Sequence, residues 1–137
     1  MALSAKLKFG DNSIGRYSKE YEVADCRILF DRPYNGHRPE GAARCQRVEV
    51  VLPSPGKDDT TLFEWFATRG VQTGCIEMSL PGEAMTDDGQ TQVLEFEDAL
   101  CFSLAEHYDI GDSRRRMLRL GIMADRFSID NVMFQHQ

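Results

Sequence analysis

The sequence predicts a mainly β fold of about seven or eight strands with one short helix, in a single domain over residues 1–137. Apolar and polar residues alternate through most of the chain, which is the pattern of strands with one buried face. Only one stretch, residues 62–69, has helical apolar spacing between helix start and stop signals. The length suits one core, because domains of this size bury roughly two thirds of their unfolded surface.

Three strands are predicted in the first half of the chain. In the first, Leu3, Ala5, Leu7 and Phe9 share one face, and a turn follows at residues 10–13. The second region covers residues 17–30 and slips by one position near Ala24 and Asp25, which indicates a β-bulge. The third covers residues 44–52, with Gln46, Val48, Val50 and Leu52 on one face and Cys45, Arg47 and Glu49 on the other.

A long loop is predicted for residues 31–43, which contain two prolines, two glycines and almost no apolar side chains. Loops of about 12 or more residues without secondary structure are uncommon in small domains and are often functional. The alternative is an exposed, flexible excursion without a function of its own. The residues alone leave both interpretations open.

The helix is predicted over residues 62–69. Thr61 and Glu64 have the spacing of a capping box, and Gly70 stands where a C-cap glycine is expected. The predicted packing residues are Leu62, Trp65 and Phe66, which point together on a helical wheel, with Phe63 at the margin. A helix of roughly 12 Å is too short to be stable alone, so burial of these side chains against a sheet must hold it.

The second half of the chain predicts a strand and then a large hairpin. Residues 74–80 form the strand, and residues 81–89 connect it to an unusually long segment at 92–109, which is one bent strand or two abutting strands. One face of this segment is predicted to carry Leu94, Phe96, Asp98, Leu100, Phe102 and Leu104. Residues 115–129 form its partner, with Leu118, Leu120, Ile122 and Ala124 on one face.

Composition and charge exclude several classes of partner. The formal net charge of −6 opposes binding to nucleic acid and to anionic membranes. No apolar run approaches the roughly 18 residues of a spanning helix, and the N-terminus lacks the pattern of a secretory signal, so we expect no membrane insertion and synthesis in the cytoplasm. The four cysteines stand far apart and are expected to be buried free thiols: Cys26, Cys45, Cys75 and Cys101.

No catalytic, cofactor-binding or metal-binding residues are predicted. The chain has no phosphate-binding glycine loop, no Gly-x-Ser-x-Gly elbow and no His-Glu-x-x-His pair. Glu106 and His107 are neighbours in a strand, so their side chains point to opposite faces. The basic run at residues 114–116 with Arg119 is either a solvated strand end or a contact with a carboxylate-rich surface of another subunit. These features predict a protein that is not an enzyme.

Three stretches, taken in order, carry a family resemblance over nearly the whole chain. They are the first strand at residues 3–9, the segment Asp-Thr-Thr-Leu-Phe-Glu-Trp-Phe at 59–66, and Leu-Glu-Phe-Glu-Asp-Ala-Leu-Cys at 94–101. In this order and chain length they resemble the Hcp (TssD) tube proteins of type VI secretion systems, in the form found in Bacteroidetes.

This resemblance implies a compact β-barrel of two packed antiparallel sheets with one short α-helix. It implies a homohexameric ring that stacks into an inner tube, which a contracting sheath expels with a spike at its tip and with effector proteins. The subunit would be secreted through this apparatus without a signal peptide. A protruding loop would stack the rings, and we assign that role to Arg32, Pro33, Tyr34, Asn35, Gly36, His37, Arg38 and Pro39.

A second function class stays open at this stage. The chain could be a monomeric β-barrel binding or immunity-type module with a pocket inside the barrel, and an enzyme is the third possibility. A ring in native mass spectrometry supports the tube subunit, whereas stabilisation of a monomer by a ligand supports the binding module.

Overall fold

A computed structural model describes residues 4–31, 34–35, 38–39, 44–56, 58–80, 90–108, 111, 116–130 and 132–135. The features expected at Leu3, at 81–89 and in the turn after residue 108 lie mostly or wholly outside these residues. The elements in chain order are β1 (Ser4–Asp11), β2 (Arg16–Val23), β3 (Asp25–Asp31), β4 (Tyr34–Asn35), β5 (Arg38–Pro39), β6 (Arg44–Pro53), α1 (Thr61–Ala67), β7 (Gln72–Leu80), β8 (Gln90–Tyr108), β9 (Arg116–Met123), β10 (Arg126–Ile129) and β11 (Val132–Gln135).

The strands form two packed antiparallel sheets that share β8, so the mainly β prediction is confirmed. Sheet I has the order β2-β1-β7-β8-β10-β11 and uses residues 90–99 of β8. Sheet II has the order β8-β9-β6-β3 and uses residues 100–108 of β8. Because one strand runs through both, nine strands make a single continuous sheet that folds over on itself.

The long strand bends at Asp98, where it passes from sheet I to sheet II. Asp98 has a positive φ of 50°, which an L-residue adopts only at a cost. Side chains satisfy the backbone groups that the bend exposes. The Asp98 N–H donates to Thr73 Oγ1 at 3.1 Å, and the Trp65 indole Nε1–H donates to the Ala99 carbonyl oxygen at 2.9 Å. The prediction of a long bent strand is therefore confirmed.

The bend changes which side chains of β8 face the core. Leu94 and Phe96 are buried as predicted, but Leu100 is 44% exposed and Phe102 is 42% exposed. The positive φ at Asp98 breaks the two-residue alternation, so the residues buried next are Ala99 and Cys101. A register shift between Cys101 and Ser103 then returns Leu104 to the core side. The single predicted face was wrong for Leu100 and Phe102.

The core lies between the two sheets. Sheet I contributes among others Leu7, Phe9, Ile76, Leu94, Phe96 and Phe127, and sheet II contributes Val48, Val50, Leu52, Leu118, Leu120 and Ile122. The alternating faces predicted for the strand at 44–52 and for the strand at 115–129 supply most of the second group. The rings of Phe9 and Trp65 meet edge to face, with centroids 5.2 Å apart. Aromatic pairs of this geometry add to the stabilisation from burial alone.

The helix packs against β8 through one face. Leu62 and Trp65 are buried, and Phe63 is partly buried against the core. Phe66 is 40% exposed, so it lies outside the packing face on which we expected it. A helical wheel ignores position along the axis, and Phe66 belongs to the last turn, immediately before the helix ends at Ala67.

The ends of the helix also differ from the prediction. The N-cap residue is Thr60 and not Thr61, and its side chain forms no capping hydrogen bond. The Thr61 N–H donates to Asp59 Oδ1 at 3.1 Å. At the other end, the residue with the left-handed backbone is Arg69, with a φ of 57°, and not Gly70. A carboxylate two residues before the first N–H can cap it as well as a hydroxyl can.

Two strand predictions in the first half need correction. The slip near Ala24 is not a bulge but a crossing, because β2 pairs with β1 in sheet I while β3 pairs with β6 in sheet II. The Ala24 N–H donates to the Val51 carbonyl oxygen at 2.8 Å, which ties the crossing to β6. Cys45 is buried instead of sharing the outward face of Arg47, because a register shift in the β3–β6 pair makes Gln46 an extra residue. The side chain of Gln46 lies outside the described residues.

Replacing Trp65 tests whether the helix anchors the bend. Trp65→Ala removes a buried aromatic ring and should lower the free energy of unfolding by about 3–5 kcal/mol. Trp65→Phe keeps a ring but leaves the Ala99 carbonyl without its donor, and should cost about 1–3 kcal/mol. Phe66→Ala, at the exposed neighbouring position, is the matched control and should cost less than either. Urea denaturation measures all three, and equal costs for Phe66→Ala and Trp65→Ala would contradict this packing.

The helix cap predicts a pH-dependent stability. Partial burial raises the pKa of Asp59, but hydrogen bonds from Thr61, Lys19 and Tyr21 outweigh it and lower that pKa from 3.8 to about 2. A carboxyl with a lowered pKa stabilises the fold fully above the unfolded value and loses that contribution as pH falls from 3.8 towards 2. Asp59→Asn should therefore flatten the melting temperature against pH in this window. The exposed Asp58→Asn variant should retain the wild-type slope, and an unchanged slope in Asp59→Asn would contradict the cap.

Candidate assembly surfaces

The described residues contain no group of three or more His, Cys, Asp or Glu side chains that could hold a metal ion. His107 is exposed on β8, and His37 and His136 lie outside the described residues. Among the described helices, none has the length and apolar character needed to cross a bilayer. The surfaces with functional potential are therefore the sheet edges, the two ends of the barrel and the outward sheet faces.

All four cysteines are free thiols, as predicted. Cys45, Cys75 and Cys101 are buried and Cys26 is half-buried. Burial raises the pKa of Cys45 to about 12 and those of Cys26 and Cys101 to about 11, and it also raises the pKa of Cys75. Because the thiolate is the reactive species, these protonated side chains are poor nucleophiles and serve packing.

Sheet II has a free edge on each side. Among the described residues, β3 pairs only with β6 at one side, and residues 100–108 of β8 pair only with β9 at the other. The strand β7 that flanks β8 in sheet I stops pairing at Ala99, which leaves the second half of β8 uncovered. Within the described ranges, sheet II is thus a four-stranded sheet whose two outer strands both expose backbone donors and acceptors. Such edges are templates for pairing with another chain.

The two hairpins of sheet II point to opposite ends of the barrel. Asp31 pairs with Arg44 at one end, where residues 32–43 connect β3 to β6. Tyr108 pairs with Arg116 at the other end, where β8 connects to β9. This follows from the register, since Pro53 at the far end of β6 lies beside Met117 near the β8–β9 tip. One hairpin tip therefore projects from each end.

Part of the expected stacking loop has regular structure. Tyr34 and Asn35 pair with Pro39 and Arg38 in a two-stranded ladder, β4–β5, that is separate from the main sheet. The segment is thus a small hairpin rather than a loop without secondary structure. The other residues predicted for the stacking site lie outside the described part of the chain: Arg32, Pro33, Gly36 and His37.

The opposite tip carries a charged and aromatic cluster. Two guanidinium nitrogens of Arg116 contact the same oxygen of Glu106, Oε1: Nη2 lies at 2.8 Å and Nε donates at 3.0 Å. The Tyr108 hydroxyl donates to Glu106 Oε2 at 3.0 Å, and the Arg116 guanidinium lies 5.8 Å from the centre of the Tyr108 ring. Arg116 belongs to the basic run of the sequence, so at this position the run is paired within its own chain. The cluster joins the described ends of β8 and β9 through side-chain contacts.

An apolar groove beside the bend was missed by the sequence analysis. Exposed Val71, Leu100 and Phe102 line it with Met123, and Asp98 and Asp125 stand at its edge. Phe102 lies against Gly121 of β9, where a Cβ would collide with the Phe102 ring and with the Ser103 hydroxyl. The only sequence signal for this groove is Gly121, which leaves room for an aromatic ring on the neighbouring strand. That signal can be interpreted only when the bend of β8, which turns Phe102 towards Gly121, is known.

The comparisons with known proteins agree on one family and one fold. The family model described as hemolysin coregulated protein Hcp (TssD) matches residues 1–137. The search of curated proteins found no match.

Several solved structures are similar to this chain. Hcp1 from Flavobacterium johnsoniae is 18% identical with a TM-score of 0.67, and the match covers 99% of this chain and 100% of that one. Hcp1 from Salmonella typhimurium is 12% identical with a TM-score of 0.65, covering 98% and 92%. The SPP1 tail tube protein is 10% identical with a TM-score of 0.57, covering 98% and 77%. At such identities the likeness establishes the fold alone.

Proposed function

Because the chain belongs to the Hcp (TssD) family, we propose that six copies of it close into a ring and that these rings stack into a tube. The chain is a structural tube subunit of a type VI secretion system and is not an enzyme. We assign the ring contact to the edges of sheet II, the stacking contact to its two hairpin tips and the channel wall to its outward face.

The pair of free edges on sheet II is the observation that carries this proposal. β3 and the second half of β8 lie on opposite sides of the same four-stranded sheet. When β3 of one copy pairs with residues 100–108 of the next, each contact joins two different surfaces. Such a heterologous contact closes into a ring if the rotation between copies completes a circle. Closure removes both edges and the aggregation hazard that they present.

The hairpin tips support stacking along the ring axis. With the edges of sheet II paired sideways, the strands run roughly along the channel, and the tips project up and down. The segment at 32–43 then leaves one rim of the ring, and the Glu106–Tyr108–Arg116 cluster leaves the other. Head-to-tail stacking brings the first tip of one ring to the opposite rim of the next. This gives the predicted stacking residues, from Arg32 to Pro39, a specific place in the assembly.

The unequal width of the sheets favours sheet II as the channel wall. Sheet I contains six strands or strand segments and sheet II contains four. In a closed ring, the wider side of each wedge-shaped subunit occupies the larger radius. Sheet I then forms the outside, and the outward face of sheet II forms the channel. A sheath around the tube, a spike at its tip and effector proteins within it are the partners that this arrangement accommodates, with export through the apparatus itself.

The monomeric binding module gains no support from the described residues. That function needs a pocket inside the barrel, but the rings of Phe9, Trp65 and Phe96 occupy the space between the sheets, with the Phe9 and Phe96 centroids 6.4 Å apart. The described grooves are lined mainly by exposed and half-buried side chains, with Tyr21 and Ala124 as buried exceptions, and none of these grooves is lined by Phe9, Trp65 or Phe96.

Native mass spectrometry tests the ring directly. The purified chain at tens of micromolar should give a species with the mass of six copies, because each copy has two complementary edges to satisfy. Light scattering on the same sample checks that the species exists in solution. A chain that stays monomeric in both measurements contradicts the proposal.

Shortening the segment at 31–43 to a tight turn separates stacking from folding. The buried core residues of both sheets that the structure describes lie outside this segment, so circular dichroism should be unchanged and the six-copy ring should persist while tube formation and export are lost. A matched control replaces residues 81–89, which connect β7 to β8 in sheet I, with an equally short turn. That control should stack normally. Normal export of the first variant contradicts a stacking role, and its unfolding would make the segment structural.

A further inference from the structure

We propose that the outward face of sheet II is a binding surface for acidic polypeptide segments, with Arg27 and Arg119 as the residues that hold their carboxylates. This inference rests on the proposed ring, in which that face lines the channel. It goes beyond that ring by naming the chemical class of cargo, acidic polypeptide segments, that the channel wall would bind.

The charge of this face is opposite to that of the chain as a whole. Cys26 and Ile28 pack against the core and Val48, Val50 and Leu52 are buried, so the alternating residues between them point outward. On β3, β6 and β9, the described outward side chains include three arginines and two carboxylates, a net charge of +1: Arg27, Arg47, Arg119, Asp25 and Glu49. Asp98 and Asp125 border this face at the bend of β8. The full chain has a net charge of −6. The described outward face of sheet I carries five glutamates against three cations: Glu20, Glu22, Glu77, Glu95, Glu97, Lys6, Lys8 and Arg126.

Two of the three arginines on this face are free to bind a ligand. Arg47 is paired with Glu49, with Nε 3.2 Å from Oε1. Arg27 and Arg119 are exposed, and neither guanidinium has an ion pair or hydrogen bond among the described residues. Glu49 is paired with Arg47, so Asp25 is the only other unpaired charge among the described outward side chains of β3, β6 and β9. Unpaired guanidiniums present a rigid fork of donors that matches a carboxylate.

The two arginines flank one groove. It has a volume of about 190 Å³, and Asp25, Cys26, Glu49 and Val51 line it together with the two arginines. Val51 stands opposite Asp25 in the β3–β6 register. Arg27 stands opposite Glu49 in the β3–β6 register, and Arg119 stands opposite Val51 in the β6–β9 register. A peptide with carboxylates and short aliphatic side chains fits this arrangement. In the proposed ring, six copies of this groove surround the channel. The unpaired arginines then strengthen the local positive potential, and several weak contacts to one peptide act together.

A polypeptide fits this surface better than a nucleic acid does. Single-stranded nucleic acids bind through successive aromatic side chains on which bases stack, together with a strongly basic groove. The six residues that line the groove include no aromatic side chain, and two of them are acidic. Two unpaired arginines in each copy suit a few carboxylates rather than a continuous phosphate backbone.

The test measures fluorescence anisotropy of a labelled oligoglutamate peptide on the assembled ring, with an oligoglutamine peptide of the same length as the uncharged control. Despite the negative charge of the whole ring, oligoglutamate should bind more tightly, and added salt should weaken it because the contacts are ionic. The Arg27→Gln/Arg119→Gln double variant should lower the affinity roughly tenfold or more, since two charged hydrogen-bonding groups are lost. Arg126→Gln, an exposed arginine on sheet I, is the matched control and should bind as wild type does.

A variant that is expected to bind more tightly distinguishes a lost contact from a misfolded protein. Asp25→Asn removes the unpaired opposing charge and should tighten oligoglutamate binding, a result that misfolding cannot produce. Native mass spectrometry accompanies every variant. A wild-type chain that forms no ring contradicts the proposed function, whereas an intact ring that binds oligoglutamate no better than oligoglutamine overturns this inference alone. Tighter binding of single-stranded DNA than of oligoglutamate, or equal losses in Arg126→Gln and the double variant, would also overturn it.

Discussion

The bend of β8 at Asp98 is the constraint on which the rest of the structure depends. A strand of 19 residues cannot stay in one small sheet, so it leaves sheet I and continues as the edge of sheet II. The bend needs partners for its backbone groups, and Thr73 and Trp65 supply them from β7 and α1. The short helix is therefore required at this place, and its indole is both a core side chain and a hydrogen-bond donor to the bend.

The same bend creates the free edges that the proposed ring uses. Because β7 pairs with β8 only as far as Ala99, the second half of β8 has one open side. At the far side of sheet II, the crossing at Ala24 sends the chain into β3 as a second open strand. A closed barrel would have paired these two edges with each other inside one subunit. Here the two described edges lie on opposite sides of sheet II, and the proposed ring pairs them between subunits.

Much of the fold could be predicted from alternation, because a sheet face that packs on a core imposes a period of two. The buried residues of β6 and β9 follow that rule from Val48 to Leu52 and from Leu118 to Ile122. The errors occur where the backbone interrupts the period: the crossing at Ala24, the extra residue at Gln46 and the positive φ at Asp98. None of these has a residue type that marks it in a sequence, since none is a glycine or a proline. The sequence alone could not predict the free edges or which arginines are unpaired, because both depend on which strands become neighbours.

A cryo-electron microscopy reconstruction of the assembled ring tests the central claim most directly, because it shows which strands meet between subunits. The predicted result is a continuous sheet around the channel, with β3 of one copy hydrogen-bonded to residues 100–108 of β8 in the next and with Arg27 and Arg119 facing the channel. A ring joined instead through β2 or β11 of sheet I, with both edges of sheet II left in solvent, would contradict it.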